Sequence, residues 1–468
     1  MIADLKPYAE YKESGLPWLG QVPGHWEIQR AKSFLTCIDQ RSQTGKEELL
    51  TVSSARGVIP RRTATVTMFK AKSYVGYKLC WPGDLVINSL WAWGGGLGVS
   101  DHHGIISTAY SVYRKRDSAP LLPRFLHELL RSAPFNWELQ VRSKGIWISR
   151  LQLTDNAFLD SPLALPPPAE QAAIVRFLDW ANGRLERAIR AKRKVIALLN
   201  EQKQAIIHRA VTRGLDPSVP LKPSGISWLG DIPQHWEVRP LKQLLARMDY
   251  GTSENVRGEG RVRVLTMGHI RDGKVIVPEK GGLGAVPPGL LLEKNDLLFN
   301  RTNSPELVGK VGLFAGDAED EVTFASYLVR LRTRSEHNVI WLNYLLNSTA
   351  FWSYARSQAL VSLHQANLNS KRYGQMVLPI PSRRAEQDDI VEHIRSRAGE
   401  VERAVNRLSR EIDLLREYRT RLVADVVTGK FDVREAAARL PDEAVADISE
   451  NDTDLSDDSD VQLVEAED

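Results

Sequence analysis

The chain has 468 residues, too long for one ordinary core and enough for two to four domains. Its 43% hydrophobic content suits a water-soluble globular protein, and no run of eighteen apolar residues offers a membrane-spanning helix. The net charge of +4 conceals an asymmetry: residues 441–468 hold twelve Asp or Glu and no Lys or Arg, which leaves the body with 62 basic against 46 acidic residues. A body that basic suggests a polyanionic partner. The tail, 441–468, is too acidic and too poor in aromatics to fold and is expected to be disordered. Cys37 and Cys80 suggest no disulfide framework and cannot build a zinc site. The first residues lack the charged-then-apolar layout of a secretion signal, so a cytoplasmic protein is expected.

In chain order, the first marked feature is "PWLGQVPGHWE" at 17–27. It returns as "SWLGDIPQHWE" at 227–237, and twelve of the twenty-five positions of 11–35 are identical in 221–245. The shared residues are mostly packing and turn residues, among them Trp18, Gly20, Pro23 and Trp26. Tryptophan takes a partly buried seat, while glycine and proline punctuate turns. The motif therefore predicts a clasp that opens a domain. His25 and His235 have no nucleophile or metal partner beside them and are expected to be structural.

A strand-rich stretch follows, with "GYKLCWPGDLVIN" and "ISTAYSVYRK" between Gly, Asn and Asp turns, and a short helix is predicted at 123–131. Prolines 166–168 stop this pattern. Ile174, Leu178, Ala181, Leu185, Ala188, Lys192, Val195, Leu199, Gln202 and Ile206 then recur at 4,3 spacing, a heptad seam. The seam ends in "VTRGLD" at 211–216, and the second clasp follows almost at once. "VRVLTMGHI", "NDLLFNR" and "VTFASYLVRLR" make the second globule strand-rich, with a helix predicted at 339–355. After Pro379 and Pro381 a second seam runs through Ile390, Ile394, Arg397, Val401, Ala404, Leu408, Glu411, Leu415, Tyr418 and Leu422 to "VTGKFD" at 427–432.

"AEQ" stands at the head of both seams, at 169–171 and 385–387. The expected domains are 11–165, helix 166–216, 221–380, helix 381–432 and the tail. Some 43 residues of helix make a rod of about 65 Å, and the linker after the first rod is too short to carry the chain back along it. The predicted fold is α+β: two mixed, strand-rich globules separated by two long antiparallel coiled-coil helices, a pseudo-twofold internal repeat.

The chemistry points to binding. There is no phosphate loop of the Gly-x-x-x-x-Gly-Lys-Ser/Thr kind, no His-Glu-x-x-His and no Asn/Asp-Pro-Pro-Tyr of amino-methyltransferases. "WGGGLG" at 93–98 lacks the strand–loop–helix layout of a cofactor cradle. Asp84 and Asp296 hold matching places in the two globules and suggest metal-dependent nuclease chemistry as one reading. Each is single at the start of a strand, so a turn-forming role is favoured. No catalytic residue and no metal ligand is assigned. Four loops combine cations, amides and aromatics: 88–95, 141–147, 300–310 and 364–374. From them Ser89, Trp91, Arg142, Lys144, Arg301, Asn303, Gln365, Lys371 and Arg372 are the candidate DNA-binding residues. Arg301 suits guanine, Asn303 or Gln365 adenine, and Lys144, Lys371 and Arg372 phosphates.

With the paired clasps, "PGDLVIN", "GGGLGVS" and "GIISTAYSVYR" in the first globule, "NDLLFNRTNSPELVGKVGLF" in the second, "LPPPAEQAAI" and "LPIPSRRAEQDDI" before the helices and "VTRGLD" and "VTGKFD" after them, the chain resembles the specificity subunit of type I restriction–modification systems over about residues 10–435. The resemblance implies two target-recognition domains that each read one half of a split, asymmetric site on double-stranded DNA. It implies helices that act as spacer and as platform for two methyltransferase subunits, with restriction/translocase subunits completing the assembly. It further implies that this subunit is not itself an enzyme and holds no cofactor, S-adenosylmethionine, ATP and Mg²⁺ belonging to the partners. Rival readings are a coiled-coil protein scaffold that does not bind DNA and a nuclease built on Asp84 or Asp296.

Overall fold

The computed structural model of the chain describes residues 5–64, 71–145, 151–254, 260–316, 318, 320–362 and 365–441. The acidic tail, Trp147 and His364 lie outside the described residues. The helices are α1 (Pro123–Leu130), α2 (Ala133–Arg142), α3 (Asp155–Leu159), α4 (Pro168–Arg213), α5 (Val339–Leu346), α6 (Thr349–Ser357), α7 (Ser370–Gln375), α8 (Arg384–Val427) and α9 (Arg434–Ala438). α4 and α8, 46 and 44 residues long, are the two expected long helices, and the rest is strand-rich, so the α+β fold stands as predicted. The chain divides into two units: residues 1–191 with 411–468, and residues 192–410. Each long helix is therefore shared between the units.

The two units repeat one frame. In the first, Tyr11–Glu13 pairs with Gln21–Pro23 and Glu27–Arg30 pairs with Pro162–Leu165. In the second, Leu221–Pro223 pairs with Asp231–Pro233 and Glu237–Pro240 with Val377–Ile380. The first unit's main sheet is antiparallel, ordered Leu35–Ile38, Tyr110–Lys115, Leu85–Asn88, Leu97–Val99. The second has the counterpart order Leu245–Tyr250, Leu328–Thr333, Leu297–Asn300, Val311–Leu313, extended by the short strands Lys274–Val275 and Ile270–Arg271.

The repeated clasp has a plain physical basis. Trp26 is fully buried, and its indole N–H donates to Glu170 Oε1 at 2.8 Å. Glu170 is itself only 4% exposed and also takes Tyr8 Oη at 2.7 Å and His25 Nε2 at 2.7 Å. In the second unit Trp236 Nε1 donates to Glu386 Oε1 at 2.7 Å, with His235 Nε2 3.0 Å from the same carboxylate. The adjacent glutamine of each "AEQ" closes a second joint. Gln171 Oε1 accepts from Leu122 N at the head of α1, and Gln387 Oε1 from Asn338 N at the head of α5, both at 2.8 Å. Both histidines are thus structural, as their sequence context implied.

The long helices end on the same tryptophans. Gly214 and Gly429 adopt φ of +73° and +78°, the left-handed stop that glycine takes without strain. A Cβ on Gly429 would lie 2.4 Å from Pro23. In the first unit Ile174, Phe177, Leu178 and Ala181 of α4 share a core with Leu422, Val426 and Val427 of α8. Glu186 meets Arg419 at 3.4 Å, so the segments run antiparallel. In the second unit Ile207, Ala210 and Val211 share a core with Ile390, Val391 and Ile394, and Lys203 pairs with Glu402. The strict heptad fails mid-helix: Val195 is 44% and Tyr418 41% exposed, while Ile412 is buried in place of Glu411. A helix with 3.6 residues per turn drifts off a 3.5-residue repeat, and the buried face moves on by one position.

Two helix expectations change. The single helix predicted at 339–355 is two, because Ser348 takes an extended ψ of 142° and restarts the chain as α6. The same break at Ser132 starts α2, whose last residues fall in the loop expected at 141–147.

Replacing Glu170 by Ala leaves the buried Trp26 N–H and Tyr8 O–H without an acceptor, about 1–3 kcal/mol for each. Urea unfolding followed by circular dichroism is expected to show Glu170→Ala destabilised by about 2–5 kcal/mol. Glu386→Ala should cost less, since Glu386 is 21% exposed and has no counterpart of Tyr8.

Candidate nucleic-acid interface

The carboxylates suspected of nuclease chemistry are committed elsewhere. Asp84, 2% exposed, accepts from Trp81 N at 2.9 Å and holds Arg114 through two bonds of 2.8 and 2.7 Å. Asp296, 1% exposed, accepts from Glu293 N at 2.8 Å and holds Arg332 through bonds of 2.7 and 2.8 Å. Each closes its turn and pins an arginine of the neighbouring strand, a bidentate pairing that fills the carboxylate. Among the described residues no group of three or more His, Cys, Asp or Glu is placed to hold a metal ion, and no helix is long and apolar enough to cross a membrane.

From each of these turns a strand leads to a loop that carries candidate residues. In the first unit Leu85–Asn88 runs into Ser89 and Trp91. Ser89 O accepts from Leu153 N at 2.9 Å, and its hydroxyl donates to Ala109 O at 3.3 Å. Gln152, next in line, pairs with Lys144 through two backbone bonds of 2.9 Å. Ser89 and Lys144 are thus joined through the 152–153 segment, and Lys144 is exposed. Trp91 is half-buried with its ring centroid 4.6 Å from that of Trp93. Gly94 and Gly96 make room for it, since a Cβ at either would come within 2.6 and 2.8 Å of Trp91. Arg142 is not in a loop: it ends α2, and its Nε lies 2.5 Å from Glu138. α2 also presents Trp137 (46% exposed) and Val141 (60%), one turn apart, which sequence reasoning did not single out.

In the second unit Leu297–Asn300 runs into Arg301. Arg301 O accepts from Leu368 N at 2.8 Å, the counterpart of the Ser89–Leu153 bond. Thr302–Asn303 pairs with Gln365–Asn367, which pairs with Leu360–Ser362. Asn369 then caps α7, its Oδ1 accepting from Lys371 N at 2.8 Å and Arg372 N at 3.4 Å. This small sheet and its helix bring Arg301, Asn303, Gln365, Lys371 and Arg372 together. Gln365, Lys371 and Arg372 are exposed, and Arg372 donates to Gln358 O at 3.0 Å. Arg301 is half-buried, its guanidinium 5.0 Å from the ring of Tyr250 and 3.3 Å from Asn367 Oδ1. Asn303 is only 9% exposed, and its Oδ1 accepts from Ser304 N at 2.8 Å. Tyr250, Tyr327, Leu360 and Val361 surround this group as exposed apolar surface. Their sequence signal was weak, because single aromatics and aliphatics in strands read as core.

The loops of the first unit are tied by α1. Arg131 donates to Ser54 O at 2.5 Å, Leu97 O at 2.7 Å and Gly95 O at 3.3 Å. His127 Nδ1 accepts from Val99 N at 3.2 Å, and its ring stands 2.8 Å from where a Gly57 Cβ would lie.

No protein-family model matches the chain. The putative type I restriction enzyme MjaX specificity subunit of Methanocaldococcus jannaschii is 23% identical over 158 residues. That match spans 33% of this chain and 37% of that relative. A solved structure described as "Structural basis underlying complex assembly and conformational transition of the type I R-M system" contains a chain with a TM-score of 0.62 at 17% identity, covering 87% of this chain and 98% of that one. The chain resembles the specificity subunits of type I restriction–modification systems. The HsdS subunit of Thermoanaerobacter tengcongensis, likewise 17% identical over 87% of this chain and 98% of its own, has a TM-score of 0.45. At 17% identity the structural likeness is one of fold.

Burial, and after it the charges of Arg131 and Arg124, pushes the His127 pKa down to about 3. The unfolded imidazole takes up its proton near pH 6.5, the folded one only near pH 3. Stability contributed by neutral His127 is present above pH 6.5 and falls by about 1.4 kcal/mol per pH unit between those limits. Urea midpoints measured from pH 7 to pH 4 are expected to fall less steeply in His127→Gln than in the parent chain.

Proposed function

We propose that the chain is the sequence-specific DNA-binding subunit of a type I restriction–modification complex. It recognises an asymmetric, bipartite site on double-stranded DNA and directs methyltransferase and restriction subunits to it. The observation that carries this reading is the repeat of one frame with unlike loops. The Trp–Glu clasp, the Asp–Arg turn and the capped short helix recur in both units. The residues set on that frame differ: Ser89, Trp91 and Lys144 in one, Arg301, Asn303, Gln365, Lys371 and Arg372 in the other. A common frame suits two jobs of one kind, and unlike loops suit two different half-sites. The basic body supplies the attraction to phosphates that any DNA-binding surface needs.

In this reading the chain is not an enzyme. S-adenosylmethionine, ATP and Mg²⁺ serve the partner subunits, and the complex works in the cytoplasm. Two methyltransferase subunits fit a repeated apolar spot on the long helices. Leu198 and Leu414 are equivalent at the 216-residue offset and are 54% and 56% exposed.

The decisive experiment is methylome sequencing of a host that carries this chain with its neighbouring methyltransferase gene. A split, asymmetric methylated motif that disappears when this chain is deleted is the expected result. No motif, together with no DNA binding by the purified complex, would instead favour the coiled-coil scaffold. At the helices, Leu414→Glu is expected to cut the methyltransferase content of the complex from two copies to one, read by native mass spectrometry. Leu198→Glu should do the same, and the double substitution should remove both copies.

A further inference from the structure

The second unit contains a hollow beside its candidate residues. It has a volume of about 460 Å³ and is walled by Met267, Arg271 and Asp272 on one side and by Asn303, Leu307 and Lys310 on the other. The two walls are the segment after strand Val262–Leu265 and the loop after strand Leu297–Asn300. In the first unit the counterpart segments follow Leu50–Ser53 and Leu85–Asn88. There Arg131 spans the gap by donating to Ser54 O, Gly95 O and Leu97 O, and the Trp91–Trp93 pair occupies the loop. In the second unit Arg131 is replaced by Asn347, whose short amide reaches only Val311 and its own helix. The loop opens, and the position of Gly96 becomes Lys310: Gly96 O and Lys310 O accept from Asn88 N and Asn300 N, both at 2.8 Å.

The polar groups of the hollow are left over from the fold. Asn303 Oδ1 is used by Ser304 N, but its Nδ2 makes no hydrogen bond among the described residues. Lys310 Nζ lies 5.0 Å from the Trp352 ring and likewise has no carboxylate partner there. Arg271 is exposed, and neither it nor Asp272 is paired among the described residues. Such a site offers several donors on two walls and one carboxylate.

We infer that this hollow reads a G·C base pair in the half-site of the second unit. The assignment rests on the DNA-reading role proposed above and deepens it. In the major groove guanine presents two acceptors, N7 and O6, and its paired cytosine one donor, the N4 amine. Arg271, Lys310 and the Asn303 amide nitrogen are donors for the guanine edge, and the Asp272 carboxylate is an acceptor for the cytosine amine. An A·T pair has a donor at adenine N6 where guanine has O6, which faces these cations unfavourably. Arg271 and Lys310 are thus specificity-determining residues, whereas Lys371 and Arg372 on α7 stand outside the hollow and suit phosphates.

The test uses the full chain in complex with its methyltransferase subunits, with the methylated motif and DNA affinity as readouts. Arg271→Ala and Lys310→Gln are expected to relax one G·C position in one half-site. Discrimination there should fall about 5- to 150-fold, with the other half-site and the gap unchanged. Asp272→Asn, which keeps the shape of the rim, should relax the same position. An unaltered motif in all three variants, a uniform loss of affinity over all sequences, or a change in the other half-site would overturn the assignment while leaving the DNA-binding function standing. A parent complex that recognises no split motif would instead sink the function itself, and this assignment with it.

Discussion

Trp26 and Trp236 are fully buried, and each brings into the interior an indole N–H that must find an acceptor. The acceptor in each unit is the glutamate of an "AEQ" that lies 144 or 150 residues along the chain, at the head of a long helix. This pairing ties the first residues of a globule to the helix that follows its last strand. The neighbouring glutamine then fastens the head of a short helix, and the glycine stop of the other long helix packs on the same tryptophan. Opening of the globule, start of one helix and end of the other thus converge on one hydrogen-bonded indole. The energy of a single such bond is modest, but an unpaired buried donor is costly, which is why the arrangement specifies position more than it adds stability.

The same economy appears at the turns that precede the candidate loops. Asp84 and Asp296 are even more deeply buried than Glu170, each closing a turn and orienting an arginine. Their charge is compensated locally, so the strand that leaves the turn is held rigidly and delivers its loop at a defined place. Loops of different content can then be mounted without disturbing the frame. Trp91 and Trp93 fill one, while Arg301, Asn303 and Lys310 line the other. Frame and loops thus draw on separate residues.

Much of the fold was legible in the chain. The doubled clasp, the paired "AEQ" and the two long seams are periodic or identical in sequence, and periodicity is the signal that helices and repeats leave behind. The heptad reading went astray mid-helix at Val195 and Tyr418, where a straight helix drifts from a 3.5-residue repeat. α2 was missed because "SAPFNWELQVR" opens with proline and has no clean apolar face, so Arg142 was read as a loop residue. The site was legible only in part. Arg301, Asn303, Gln365, Lys371 and Arg372 fall into one group, but Gln365 lies more than sixty residues from Arg301, and no local pattern links them. Arg271 left no mark beyond an ordinary "RDGK" turn.

The sequence by itself determined the repeat, the helix–globule alternation and the resemblance to specificity subunits, because those rest on spacing and identity along one dimension. Tertiary structure alone decided which leftover polar groups face one another. Among the described residues Asn303 keeps its amide nitrogen unbonded while Ser304 takes its oxygen, and Asn347 bonds Val311 where its counterpart Arg131 reaches Ser54, Gly95 and Leu97. Those are differences in side-chain reach across strands, fixed by hydrogen-bond geometry over a few ångströms. Residues far apart in the chain carry no record of such reach until folding brings them together.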